Sequence, residues 1–308
     1  MMRWSHTVVL FSSIALVSAC KSQAETAQAE AAALEAREQR LETRLARANE
    51  AESSDDPVAM WIMPQALAEI SGLALTPDGR LLAHDDELAR VYEIDPRKGV
   101  VLKSFMLGKG LKGDFEGITV VGQDLYMTLS NGHLYRFREG ANNARVEYTT
   151  HDLRLSKECE FEGIAYESDS ARLVMPCKNV KMKHLDDELV IYRWTVGSKD
   201  STGISMLTVP LSEVIGSNDW KKFQPSDITI EPGTGNYVLI SSLQGGLVVM
   251  TPNGDVVRSE KLPGNHKQAE GVAITPDNIL IISDEATSKP AAITLYKWNS
   301  SKQGVSTQ

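Results

Sequence analysis

Three regimes of hydrophobic patterning divide the chain. Behind Arg3, the stretch from Thr7 to Leu16 is largely apolar and ends at Val17-Ser18-Ala19-Cys20. From Ser22 to Ser53 the residues are mostly Ala, Glu, Gln and Arg with neither Gly nor Pro, a composition of high helix propensity. Leu34, Leu41 and Ala48 recur every seven residues and Leu45 adds a second apolar position, but Glu38 interrupts the other seam, so a coiled coil is poorly specified. The pattern predicts a solvated spacer helix, partly frayed, with a partner-binding helix as the alternative. Ser53-Ser54-Asp55-Asp56-Pro57 breaks it, because a polar cluster before proline favours extended or turn backbone. Beyond Pro57 come short β-type runs separated by turn signals at Pro77-Asp78-Gly79, Asn131-Gly132, Pro252-Asn253-Gly254 and Pro276-Asp277.

Within this third region one heptapeptide recurs: EISGLAL at 69–75, DFEGITV at 114–120, EFEGIAY at 160–166, QPSDITI at 224–230 and QAEGVAI at 268–274. The starts are 45, 46, 64 and 44 residues apart, close to the period of a four-stranded propeller blade except in the third copy. The expected fold is therefore all-β, a five-bladed β-propeller of four-stranded antiparallel blades. Strands are expected over 80–83, 89–94 and 100–106 in blade one, and over 125–129, 133–137 and 146–150 in blade two. The extra residues of blade three fall in Lys178 to Asp187 and Leu211 to Lys222, where a loop and a short helix are expected; a degenerate sixth blade is the alternative. Blade five supplies strands over 278–282 and 293–298 and stops one strand short. Val58 to Met63 is a spare strand, expected to pair as the outermost strand of blade five and close the ring.

The N-terminal pattern is that of a signal peptide, too short and wrongly flanked for a stable membrane span. Small residues before a cysteine resemble a bacterial lipobox, in which the Cys20 thiol takes a diacylglycerol; an ordinary secreted protein cut near Ala19 is the alternative. Lys21 follows where an inner-membrane retention signal shows Asp, which favours the outer membrane. The segments are then a signal peptide at 1–19, a lipid-anchored helical stalk at 20–56, the propeller at 57–300 and a disordered tail at 301–308. Cys159 and Cys177 remain. They flank the Ser168-Asp169-Ser170 turn almost symmetrically, and in an oxidising envelope hairpin register favours a disulfide between them, two buried thiols being the alternative.

The net charge of -9 and the lack of a Lys/Arg-rich block in the mature part give no electrostatic footprint for nucleic acid. The first and third positions of each repeat are polar on alternate residues, so their side chains leave one face of the innermost strand. That face lines the central channel of a propeller, which becomes an acidic funnel. The primary metal-ligand candidates are Glu116, Glu162, Glu270, Asp227, Asp114, Glu160 and Glu69. Second-strand ends, among them His84-Asp85-Asp86 and Asp284-Glu285, surround the same opening, with Asp85, Asp86 and Asp284 as second-choice ligands. Clustered carboxylates need a cation, a hydrogen-bond donor or a raised pKa. Ca²⁺ answers this first and Mg²⁺ second, since both prefer oxygen ligands. The competing arrangement has the glutamates bonded to backbone N–H groups of neighbouring blades.

The Phe-Glu-Gly-Ile units at 115–118 and 161–164, Pro225-Ser226-Asp227-Ile228-Thr229 and Ala269-Glu270-Gly271-Val272-Ala273 resemble the SdiA-regulated, YjiK-like family of bacterial envelope propellers. The resemblance spans essentially everything after Pro57; it implies a propeller and a link to calcium, and no particular reaction. The long stalk departs from the family. The chain carries no Gly-x-Ser-x-Gly elbow, no His-Glu-x-x-His and no phosphate loop. His84, His133, His151, His184 and His266 are scattered. The expected function is that of a membrane-anchored, calcium-binding propeller that holds a small-molecule ligand or an envelope protein. The alternative is a metal-dependent hydrolase of phytase-like or lactonase-like type, in which Lys178, Lys181 and Lys183 assist phosphate chemistry; a Lys-rich surface loop is the plainer reading of those lysines.

Overall fold

In this computed structural model the described residues are 13–50 and 55–300. Residues 57–300 form five mainly antiparallel sheets arranged as a propeller, with no sixth blade among the described residues. The innermost strands are Ile70–Leu75, Phe115–Val121, Cys159–Phe161 continued by Ala165–Glu167, Asp227–Ile230 and Ala269–Ile274, each on the heptapeptide that predicts it. Five hydrophobic clusters fill the five junctions between successive blades. The fold is therefore held by sheet-on-sheet packing, and second strands such as Leu81–Asp85 and Tyr237–Ser241 bury both of their faces while outermost strands such as Tyr148–Asp152 stay largely exposed.

Closure follows the expectation from the spare N-terminal run. Ala59–Ile62 pairs antiparallel with Ala292–Lys297, setting Ala59 opposite Leu295 and Ile62 opposite Ala292. The long blade-three interval holds a 3-10 turn at Lys183–Leu185 and a short helix at Leu211–Ile215. The outer edge of blade two departs from the prediction. The expected 146–150 strand splits: Arg145–Val146 adds to blade one in parallel beside Met106 and Leu107, while Tyr148–Asp152 becomes the outermost strand of blade two. Val146 makes this switch because it packs into the apolar junction between blades one and two.

The stalk also differs from a solvated spacer. One helix runs from Ser13 to Glu50, and its C-terminal half lies on the propeller. Leu41 is fully buried, with Leu45 and Ala48 beside it, in the cluster that joins blades five and one. Burying one leucine contributes about 2 kcal/mol. Polar contacts extend the seam: Arg97 pairs with Glu42 at 2.6 Å and Lys98 with Glu38 at 3.3 Å. Arg44 Nη1 donates to the Val58 carbonyl and Lys297 Nζ to the Ala48 carbonyl. The seven-residue apolar stripe is thus a docking seam on this molecule, and Glu38, which spoils a coiled coil, is an ion-pair partner. Residues 1–12, with most of the apolar signal-peptide stretch, and the tail at 301–308 lie outside the described residues. Cys20 falls on the backbone of the helix. No described helix is long and apolar enough to cross a membrane.

Each inner strand descends from the mouth where its heptapeptide begins, and the second strand returns to it. The Pro96–Gly99 turn that the helix touches joins the third and fourth strands of blade one, so it lies at the opposite end. The helix therefore rides on the face away from the heptapeptide starts.

Candidate functional site

At the mouth, a cavity of about 160 Å³ is lined by Glu69, Ser71, Asp86, Glu116, Glu162, Lys178, Gln268, Glu270 and Glu285. A bulge in each of four inner strands (between Ile70 and Leu73, Phe115 and Gly117, Glu160 and Phe161, Ala269 and Gly271) shapes this opening. Because a bulge interrupts strict alternation, first and third repeat positions do not share one face as a regular strand would require. The third-position glutamates 116, 162 and 270 converge on the axis. Gly117 permits the crowding, since a Cβ there would lie 2.8 Å from the backbone of Gly163 in the next blade.

The first positions disperse. Glu69 reaches the cavity, but Asp114 accepts a hydrogen bond from Ser130 Oγ, and Glu160 Oε2 accepts from Asn179 Nδ2 at 3.1 Å. Asn179 in turn accepts from Gln224 Nε2 at 2.7 Å, forming a polar belt along blades three and four. Asp85 Oδ1 caps its own loop by accepting from the Leu88 and Glu87 amides. Asp284 Oδ2 lies 2.5 Å from His266 Nδ1, whose Nε2 meets the Tyr296 hydroxyl at 2.8 Å. His84 is fully buried, with Nε2 accepting from the Gly72 amide; burial depresses its pKa to about 4 and keeps it neutral.

Asp227 does not line the cavity. It replaces glycine at the fourth repeat position, is fully buried, and accepts from the Val272 amide at 2.8 Å as well as from the Ile228 and Leu73 amides. One carboxyl thus links blades four, five and one at the axis. Burial raises its pKa and the three amides draw it back. Backbone fastening, the arrangement that competes with a metal, holds for this residue.

Two groups of three carboxyls line the cavity. In the central ring, Lys178 Nζ lies 2.6 Å from Glu162 Oε1. Lys178 lies within the second strand of blade three, Arg172–Val180, and is not part of a surface lysine loop, whereas Lys181 turns away to the Ser156 carbonyl. Burial works against the charged form of Lys178, and the Glu162 pair with the fields of Glu270 and Glu116 outweighs it, raising its pKa. Burial, then the charge of Glu162, lifts Glu116 to about 9; the same two causes lift Glu270 to about 8. Glu162 rises to about 7 through burial, restrained by Lys178.

The second group sits between blades one and five. One carboxylate oxygen from each of Glu69, Asp86 and Glu285 lies within 4.8 Å of the others. Ca²⁺–oxygen bonds of about 2.3–2.6 Å place ligands on opposite sides of an ion about 5 Å apart, so the spacing suits that ion. Asp86 Oδ1 is buried without a hydrogen-bond partner. Burial and the charge of Glu69 raise Asp86 to about 6, and burial with a hydrogen bond to the Glu69 carboxylate raises Glu285 to about 7. Sequence reasoning placed Glu285 only among the second-strand ends; the pairing of Ala269 with Asp284 across the bulge is what brings it in.

The Cys159–Cys177 disulfide forms as the hairpin spacing suggests, with a Cα separation of 5.5 Å. The register is shifted by the bulge, which sets Phe161 opposite Cys177 and Cys159 opposite Val180.

No protein-family model matches the sequence, and no curated protein matches it. The resemblance to SdiA-regulated propellers accordingly rests on the motif residues quoted for it. Similar solved structures include a glutaminyl cyclase from Myxococcus xanthus, 13% identical over 78% of this chain and 95% of that one, with a TM-score of 0.51. An aldose sugar dehydrogenase from Streptomyces coelicolor is 12% identical over 78% and 98%, TM-score 0.49. A gluconolactonase from Xanthomonas campestris is 13% identical over 79% and 95%, TM-score 0.42. At such identities the likeness concerns the fold alone.

Proposed function

We propose that this protein is a cation-dependent binding propeller of the bacterial cell envelope. Lipidated at Cys20 and held at the outer membrane, it takes Ca²⁺ in preference to Mg²⁺ at Glu69, Asp86 and Glu285. The loaded mouth then holds a small ligand or an envelope partner protein. The observation that supports this reading is the rim triad: three carboxylates at the spacing of a hard cation's ligands, one with a buried oxygen that has no hydrogen-bond partner. The lipobox supports the anchor, and the docked helix supports presentation of the mouth on the face turned away from it.

Calorimetric titration of the mature chain, carrying Cys20→Ser to avoid acylation, tests the reading. One Ca²⁺ per chain is expected after chelator treatment, with the heat lost in the Glu69→Gln/Glu285→Gln variant. A wild-type titration without heat, together with a melting temperature indifferent to Ca²⁺ and chelator, overturns it.

A second reading, metal-dependent hydrolysis of a phosphoester or lactone, draws support from Glu116 and Glu270. Their pKa values of about 9 and 8 keep them protonated at neutral pH beside a candidate cation site, as a general acid requires. A Ca²⁺-dependent turnover lost in Glu116→Gln would favour it; binding without turnover favours the first reading.

A further inference from the structure

The ring and the rim triad share one cavity, yet among the described residues only the ring has a cation paired to it. We infer that Lys178 is a tethered counter-cation that excludes a divalent ion from Glu116, Glu162 and Glu270 and confines it to Glu69, Asp86 and Glu285. The Cys159–Cys177 bridge is the element that positions it. This inference rests on the cation reading proposed above and adds what decides where in the mouth an ion sits.

The backbone around Lys178 explains why a clamp is needed. The inner strand of blade three is broken: Cys159–Phe161 and Ala165–Glu167 are separate strands, and Glu162, Gly163 and Ile164 between them make no ladder pairs. Facing the gap is Pro176, which has no N–H to donate; its carbonyl alone accepts from the Glu162 amide, at 3.3 Å. Gly163 turns to a φ of 83° and gives its amide to the Glu116 carbonyl of the neighbouring blade at 2.7 Å. Glu162 therefore lies just past the last ladder pair of its segment, Phe161 with Cys177, while Lys178 is held between that pair and the pair of Glu160 with Asn179. The disulfide ties the two segments together at the edge of that gap. Cys159 directly precedes Glu160, Cys177 directly precedes Lys178, and both cysteines are buried, which shields the bridge from exchange.

A divalent ion entering the ring would have to displace the ammonium from Glu162 and sit beside its charge. The rim triad asks for neither. With the ammonium removed, the ring keeps three carboxyls and has no remaining cation among the residues lining the cavity. An ion can then enter it, and the rim also loses a nearby positive charge.

Ca²⁺ titration of the mature Cys20→Ser chain tests this with wild type, Lys178→Met, Lys178→Arg and Cys159→Ala/Cys177→Ala, each checked for cooperative melting. The expected results are one ion per wild-type chain, and in Lys178→Met a second ion or affinity at least tenfold higher. Lys178→Arg should return to wild-type behaviour, and the cysteine variant should shift in the direction of Lys178→Met. Should the cysteine variant not fold, the Met and Arg variants, with the bridge intact, decide the role of Lys178. Unchanged stoichiometry and affinity in Lys178→Met overturn the inference while leaving the rim site standing. Binding by Lys178→Met alone removes the rim site and sustains the exclusion. No binding by any form removes both.

Discussion

The two sides of the mouth contain three carboxyls each and deal with their repulsion differently. Around Glu116, Glu162 and Glu270 the chain supplies an ammonium from Lys178 and leaves two of the groups protonated at neutral pH. At Glu69, Asp86 and Glu285 it supplies no cation, and the raised values stop at about 6 for Asp86 and about 7 for Glu285. A third treatment appears one layer deeper, where Asp227 is met by backbone amides alone. Density of acidic residues therefore does not locate a cation site. On the cation reading proposed above, what marks the rim is that no cation among the described residues pairs with its carboxyls.

Removing the carboxyl that amides satisfy should have the largest effect on stability. Asp227→Ala orphans buried N–H groups of Leu73 and Val272 on two neighbouring blades. At about 1–3 kcal/mol per unsatisfied buried group, the loss should be about 3 kcal/mol or more, measured by urea unfolding. Ca²⁺ affinity of the variant, measured where it remains folded, should match wild type. An affinity that fell with it would make Asp227 part of the cation site and collapse the distinction.

Next in size is the rim itself. Glu285→Gln should weaken Ca²⁺ binding by about a hundredfold, because one of three anionic ligands becomes a neutral amide. It should also raise the melting temperature of the ion-free protein, since a repulsive pair is relieved. Asp114→Asn is the matched comparison: its carboxyl bonds to Ser130 and adjoins Glu116 on the ring side of the mouth, away from the rim triad, so affinity should change less than threefold. Equal losses in the two variants would mean that the ion is attracted by the general negative field and held by no particular ligands.

How far these distinctions were legible in the sequence depends on what kind of contact makes them. The blade count, the closing strand and the disulfide follow from spacing alone, since a repeat, a spare β run and a hairpin are near-local patterns. The convergence of Glu116, Glu162 and Glu270 was also legible, as third positions of the repeat. The rim triad was not, because it joins a first position in blade one, a loop residue after the second strand and its counterpart in blade five, and four bulges shift the alternation. Lys178 read as a surface lysine because the break opposite Pro176 cannot be seen without the paired strand. Docking of the helix was hidden by Glu38, which is a fault only if the partner is a second helix; Lys98 makes it an ion pair.

The finest discrimination comes from pH. Asp86, Glu162, Glu285, Glu270 and Glu116 have folded-state values of about 6, 7, 7, 8 and 9, all above the ordinary carboxylate values of 3.8 and 4.5. Between those limits the folded chain binds more protons than the unfolded one, so stability is fully present below about pH 4 and falls as pH rises. In chelator, the melting temperature should therefore decline by several degrees from pH 5 to 9. Saturating Ca²⁺ at the rim holds Asp86 and Glu285 ionised and removes their share, which belongs to the lower half of the decline. The upper half, from Glu270 and Glu116, should persist because Lys178 keeps the ion away from them. Ca²⁺ that flattened the range from pH 7.5 to 9 and left the range from 5 to 7 sloping would put the ion in the ring, with the two sides of the mouth exchanging roles.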